Sequence, residues 1–395
     1  MTALVASRRD SLPLPGLLAL AASGFLTILT EALPAGLLPQ IAQGLTISQA
    51  MAGQMITIYA LGSLLAAIPL TKATQHWPRR PLLLLAIAGF AGVNLVTALS
   101  SSYAVIMGAR FLAGVSAGLL WALLAGYAGR MVPAHLQGRA IAIAMVGTPL
   151  ALSIGLPAGT WLGALVGWRV SFGIMSGLTV LLVGWAWLTL PDFAGVRKSQ
   201  SVSLVHVLTI PRVATTLLVT LGFVLAHNIL YTYIAPFLAQ VGMAAETGRV
   251  LLVFGVAALA SIWVVGVLVD RHLHRLTMAA IVLFAVAALP LAFGGTSLVI
   301  YGGVVLWGLA FGGAATLFQT ALAESAGHHA DIAQSMIVTV WNLAIAGGGL
   351  AGGLILEGLG VKALAWSVMP LLLLSFYAAR LSGRVKPDLD GISRM

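Results

Sequence analysis

The chain has 395 residues, 60% of them hydrophobic and 8% charged, with 20 Lys and Arg against 10 Asp and Glu and a formal net charge of +10. A soluble globular domain carries roughly 25% charged residues, so these few charges cannot coat a fold of this size in water, and lipid must solvate much of its surface. The charges stand singly or in short clusters between apolar runs, which excludes the continuous basic face of a nucleic-acid binder, and the absence of cysteine excludes disulfides, thiol chemistry and cysteine-based metal sites.

Arg8 and Arg9 precede an apolar run that begins at Gly16 and continues through Thr30 and Glu31 to Leu38. More such runs follow with no soluble domain between them, so the first reads as a retained span with a basic flank, not a cleaved signal. About 20 mostly apolar residues cross the hydrocarbon layer. That rule predicts spans near 16–38, 51–71, 81–99, 103–127, 140–163 and 168–190, and then near 213–238, 249–269, 277–295, 298–321, 332–355 and 362–381. Each must be helical, because only a helix satisfies its own backbone hydrogen bonds in lipid.

With an even count both termini share one face. Sixteen of the 20 Lys and Arg fall on it, including Arg79, Arg80, Arg130, Arg197, Lys198, Arg212, Arg271 and Arg275. The opposite loops and span edges hold Arg169, Arg249 and Lys362, and Arg110 lies within a span. The positive-inside rule places both termini in the cytoplasm of a plasma membrane. The polar, Ser-rich stretch 191–212 divides the spans six and six. It predicts an N-terminal bundle over 1–190, a cytoplasmic linker over 191–212, and a C-terminal bundle with a short tail over 213–395.

The two groups of spans resemble each other. Gly114 and Gly118 recur as Gly308 and Gly312, and Gly155 and Gly159 as Gly349 and Gly353, all at an offset of 194 residues. The turn around Thr71 to Arg80 recurs at 195 residues as Gly266-Val-Leu-Val-Asp270-Arg271 through Arg275. Matches at one offset in corresponding spans point to a duplicated six-helix unit, one of the architectures transporters use.

Arg110-Phe-Leu-Ala-Gly114-Val-Ser-Ala-Gly118 resembles the span 4 motif of the major facilitator superfamily. Gly147 through Gly155-Leu-Pro157-Ala-Gly159, continuing to Gly167-Trp168-Arg169, resembles the span 5 motif of its twelve-span drug:proton antiporter branch. Gly266 to Arg275 is similar to its loop motif, whereas the first loop departs from it with Gln75 in place of an aspartate and Pro78 in place of a glycine. Thr30-Glu31 with Pro34, and His227 with Tyr231-Thr-Tyr233-Ile-Ala-Pro236, resemble the bacterial sugar (arabinose/isopropyl-thiogalactoside) efflux transporters. The resemblance covers essentially the whole chain. It implies an all-α integral membrane protein of two pseudo-symmetric six-helix bundles in the bacterial inner membrane, working as a monomer without cofactor. The implied activity is proton-coupled export of a small molecule, a sugar or sugar-like compound. Multidrug or nucleoside and metabolite efflux by the same mechanism is the alternative, and a non-transporting receptor the different class. No nucleophile–base pair or metal constellation suggests an enzyme.

Read on their own chemistry, Glu31 and Arg110 are the only formally charged side chains well inside a span. Glu31 lies roughly 22 Å from the cytoplasmic end of span 1 and Arg110 roughly 10 Å from the outer end of span 4, at 1.5 Å per residue. In a layer about 30 Å thick those heights coincide. Intramembrane charge is costly enough that a functional role is the default reading. Burial favours the neutral acid and a neighbouring guanidinium favours the carboxylate, so a change in their separation switches proton affinity. The expectation is proton coupling at Glu31 with Arg110, the alternative a structural ion pair. Val304 stands where Arg110 would repeat.

Polar neutral groups supply candidate substrate contacts: His227, Asn228, Tyr231 and Tyr233 in span 7, Tyr59 and Gln54 in span 2, Gln319 in span 10 and Asn342 in span 11. Gly155, Pro157 and Gly159 are expected to form a gating hinge and packing seam. Asp270, Arg271 and Arg275 are expected to latch helix ends at a cytoplasmic turn. His328-His329-Ala-Asp331 lacks further ligands and is read as no metal site. Trp77, Trp168 and Trp366 are read as interface anchors.

Overall fold

The computed structural model describes residues 12–74, 76–133, 136–195, 204–210, 212–326 and 330–384. Among them are 12 helices long and apolar enough to cross a membrane: Leu14–Leu45, Gln49–Ala67, Arg79–Leu99, Tyr103–Arg130, Arg139–Val166, Trp168–Thr189, Val213–Thr232, Ala244–Val269, Arg271–Phe293, Ser297–Ala326, Met336–Leu359 and Lys362–Ser382. They are numbered spans 1 to 12. Arg8, Arg9, Gln75, Arg197, Lys198, His328 and His329 lie outside the described residues.

Local chemistry sets the ends. Ser48 caps span 2 by accepting from the Met51 amide at 3.1 Å, and Ser102 caps span 4 through the Val105 amide. Thr46 ends span 1 in the left-handed conformation, two turns beyond the predicted stop at Leu38. Span 7, expected to run unbroken to 238, instead stops at Thr232, and a short helix Ile234–Gln240 follows. Pro236 explains the break, because it offers no N–H to the Thr232 carbonyl and its ring crowds the preceding turn. Spans 8 and 9 meet without a loop, at a single non-helical residue, His272.

The duplicated glycines are places where backbones touch. A Cβ on Gly118 would stand 2.7 Å from the Ser63 carbonyl oxygen, and one on Gly114 would overlap that of Tyr59. In the second half a Cβ on Gly308 would meet the Phe254 carbonyl at 2.5 Å, and one on Gly312 would overlap that of Ala258. Spans 4 and 2 therefore pack as spans 10 and 8 do, and the fold is two pseudo-symmetric six-helix bundles. Only small residues let helices approach this closely.

The bundles meet at the ends remote from the chain termini. There span 2 packs on span 11, span 5 on span 8, and span 1 on the helix after span 7. Leu29 to Ile56 of the first half share one apolar core with the second half, whereas Leu17, Leu20 and Leu82 belong to a separate core nearer the termini. The molecule is thus closed at the face remote from the termini and parted at the face of the termini.

Trp168 departs from its expected role. It is buried, lies against Gly44 of span 1 and packs edge-on to Phe172, so it closes an interhelical gap instead of anchoring at an interface. Trp77 and Trp366 are exposed.

Candidate functional site

Span 1 carries a stripe of partly exposed residues, Ala22, Phe25, Ile28 and Glu31 with Ala32, at the three-to-four-residue spacing of one helix face. Beyond Ala32 every residue to Leu38 is buried. Spans 2, 4, 5, 6 and 7 pack around span 1, so the stripe faces the space between the bundles. Glu31 and Ala32 are thus the last partly exposed residues of span 1 before a buried stretch.

Arg110 is 1% exposed and points from span 4 into the same level. Its Nη1 donates to the Thr30 carbonyl at 2.7 Å, its Nη2 to the Glu31 backbone carbonyl at 3.2 Å, and its Nε to the Met55 carbonyl at 3.3 Å. The first contact has a local cause. Pro34 lies four residues after Thr30 inside span 1, so the Thr30 carbonyl has no helical donor, and the guanidinium supplies one. Tyr59 lies under the guanidinium, its ring centroid 5.0 Å away, and donates its hydroxyl to the Thr27 carbonyl. Asn94 of span 3 donates to the Thr30 hydroxyl at 3.0 Å. Among the described residues no ion pair joins Arg110 to the Glu31 carboxylate. The arginine is fastened to backbone, and the acid beside it keeps its oxygens open to the crevice.

Span 7 of the second half packs against span 1 and carries Tyr231. Tyr231 belongs to an aromatic cluster. His227 stacks on Phe311 with centroids 3.4 Å apart and on Tyr231 at 4.8 Å, with Trp307 at 5.3 Å and Phe254 at 5.8 Å. Three polar atoms in it are buried without a hydrogen-bond partner: His227 Nδ1, Tyr231 Oη and Trp307 Nε1. Buried polar groups are nearly always paired, so three orphans within one cluster mark a place that pairs with something else.

The other expected contacts go elsewhere. Tyr233 donates to the Gly349 carbonyl at 2.7 Å, Gln54 reaches both Tyr233 Oη and the Gly349 carbonyl, and Ser48 donates to Glu357 at 2.7 Å. These bonds tie span 2 to the second half across the outer seam. Asn228 and Asn342 donate to carbonyls one turn back in their own helices, Val224 and Val338, and Gln319 is exposed.

Span 5 is interrupted as its prolines require. A π-helical turn, Ala151–Gly155, follows Pro149 and precedes Pro157. Gly155 and Gly159 face Phe25 and Leu33 of span 1, while Gly255 of span 8 abuts Ser153, so this turn is wedged between the two bundles. Arg271 and Arg275 are exposed at the face of the termini. Asp270 ends span 8 beside them, and its side chain lies outside what is described.

Sequence reasoning missed Thr30, Asn94, Phe254, Trp307 and Phe311. Pro34 four residues after Thr30 was a usable signal, whereas the aromatic residues look like any apolar span until they are brought together.

The chain matches the Major Facilitator Superfamily over residues 20–349. It is 32% identical over 354 residues to a chloramphenicol efflux pump of Mycobacterium tuberculosis, covering 86% of this chain and 85% of that one. A probable sugar efflux transporter of Mannheimia succiniciproducens is 29% identical over 350 residues, 87% of each chain. The crystal structure of a D-xylose-proton symporter superposes with a TM-score of 0.79 at 13% identity, over 95% of this chain and 98% of that one.

Proposed function

This chain belongs to the major facilitator superfamily and is a multi-pass membrane transporter, and from that premise we propose that it is a proton-coupled antiporter exporting a small uncharged compound by alternating access. The observation that carries the reading is Glu31, a mid-span carboxylate that is partly exposed where the stretch beyond it is buried. Closing the crevice around an ionised carboxylate that no hydrogen bond engages is costly in a medium of low dielectric, even with a guanidinium nearby. A proton removes that cost, and so does a substrate whose hydroxyls donate to the carboxylate. If either permits closure, the carrier returns with a proton after leaving with its cargo, which is exchange. Arg110, fixed to the backbones of spans 1 and 2, holds the local potential constant without competing for the carboxylate oxygens.

The charge asymmetry supports a parted face turned to the cytoplasm, in a bacterial inner membrane, with the Ser-rich stretch 191–212 dividing two bundles that rock as units of one monomer. Gln54 with Tyr233 is assigned to the outer gate, and the π-turn with Gly155, Pro157 and Gly159 to the hinge. Asp270, Arg271 and Arg275 are assigned to the inner gate.

The cargo is assigned to the aromatic cluster, whose rings suit a flat apolar face and whose orphaned atoms suit hydroxyl or carbonyl groups. A sugar-like compound meets both demands. The cluster also favours a second reading, export of ring-bearing drugs, in keeping with the name of the mycobacterial relative. Proteoliposomes with an imposed pH gradient, given arabinose, isopropyl-thiogalactoside and chloramphenicol in turn, decide between them. At least one should drive proton flux, and Glu31→Gln should abolish that coupling while leaving protein in the membrane. Undiminished proton-driven transport by Glu31→Gln would remove the proposal.

A further inference from the structure

A cavity of about 610 Å³ opens at the face of the termini, lined by Arg212 and residues of the second half. It lies between the starts of spans 7 and 9 and the ends of spans 10 and 12, with Phe318 among its apolar lining. Its charged and titratable lining is Arg212, Arg271, His272, His274 and Arg275, against a single acid, Glu324.

The backbone explains this concentration. All five residues from Arg271 to Arg275 line the cavity. On a straight helix five consecutive side chains, 100° apart, would point all round the axis. The break at His272 (φ −134°, ψ 23°) turns the chain so that they border one space. Three guanidiniums and one carboxylate line it, and among the described residues no ion pair engages Arg271 or Arg275.

We propose that this cavity is a binding site for a phosphate-bearing anion. Planar guanidinium forks match phosphate oxygens two at a time, and a converging set of them favours phosphate over a single carboxylate. The volume is that of a small-molecule site and exceeds what a bare phosphate fills. Basic pockets between span ends on the cytoplasmic side are where anionic headgroups dock. The same chemistry serves a phospholipid headgroup or a soluble phosphate ester.

The test uses the purified full-length protein in neutral detergent at fixed ionic strength. Its thermal unfolding midpoint is followed as short-chain phosphatidylglycerol, glycerol phosphate or inorganic phosphate is added, since a ligand of the native state raises that midpoint. At least one probe should stabilise the protein saturably. Arg271→Gln and Arg275→Gln should each weaken the half-saturating concentration about tenfold or more, the size of one charged hydrogen bond. Arg249→Gln and Lys362→Gln, exposed at the opposite face, should leave it unchanged. Ala321→Trp, which fills the cavity and keeps every charge, should abolish saturation, and it decides the matter if an arginine variant fails to fold. Response to phosphatidylglycerol alone assigns a lipid headgroup. Equal response to glycerol phosphate assigns a soluble ester. Saturable binding by no probe, or saturation that survives Ala321→Trp or both arginine variants, overturns the proposal.

Discussion

Replacing Arg110 by methionine in two backgrounds, wild type and Pro34→Ala, tests the coupling between a helix defect and a buried charge. In the wild type the Thr30 carbonyl, fully buried, receives its hydrogen bond from Arg110 Nη1 at 2.7 Å, because Pro34 cannot donate. The carbonyls of Glu31 and Met55 also contact the guanidinium, but Ala35 and Tyr59 supply their helical donors. Arg110→Met therefore strands one acceptor, at a cost of about 1–3 kcal/mol. In Pro34→Ala the new amide reaches Thr30, so the same substitution no longer strands it. Loss of the charge beside Glu31 is common to both backgrounds and cancels. The double-mutant cycle should show a coupling of about 1–3 kcal/mol, with Arg110→Met less harmful in Pro34→Ala. Unfolding of the four purified proteins in one detergent measures it. Additivity within about 0.5 kcal/mol would refute the reasoning.

Tyr233→Phe removes the hydroxyl that bridges Gln54 and Gly349 and should destabilise outer closure by about 1 kcal/mol. Because the chain has no cysteine, Thr57→Cys in the same seam reports the change, as roughly fivefold faster labelling by an impermeant thiol reagent from outside. Gly114→Ala should lower stability by about 1–3 kcal/mol, since its Cβ overlaps the Tyr59 carbonyl. Gly108→Ala, which meets nothing within 4 Å, should not, and thermal unfolding compares the two. Trp307→Phe keeps a six-membered aromatic ring and removes the pyrrole ring with its orphaned N–H. Stability should fall by about 1–3 kcal/mol for the space left behind and substrate affinity about fivefold, and an unchanged affinity in a binding titration of the folded variant argues against the aromatic cluster as the cargo site.

Much of the fold was legible in the sequence because lipid imposes a strong rule. Spans must be apolar, helical and about 20 residues long, so span number and the duplication at 194 residues, with its recurring glycines, could be read in advance. Prolines were legible as defects but not in their consequences. Pro236 shortened span 7, whereas Pro34 and Pro39 left span 1 to run on to Leu45, and at Pro34 the freed Thr30 carbonyl finds its donor in Arg110. At the site, Glu31 and Arg110 stood out by charge alone. Tyr233 and Gln54 looked like ligand groups, and only the meeting of spans 2 and 11 turned them toward each other across the seam.

The sequence by itself determined that this chain lives in lipid, crosses it twelve times as two related halves, and carries one acid and one base at a common depth. Composition, periodicity and charge placement are local quantities, and each follows from the cost of exposing polar groups to hydrocarbon. Tertiary structure decided which face is closed, that Arg110 bonds backbone carbonyls and leaves the carboxylate of Glu31 open, and that His227, Tyr231 and Trp307 share one cluster. Those facts depend on which helices touch, and at what height, across separations of tens of residues and more, where no local pattern carries the information.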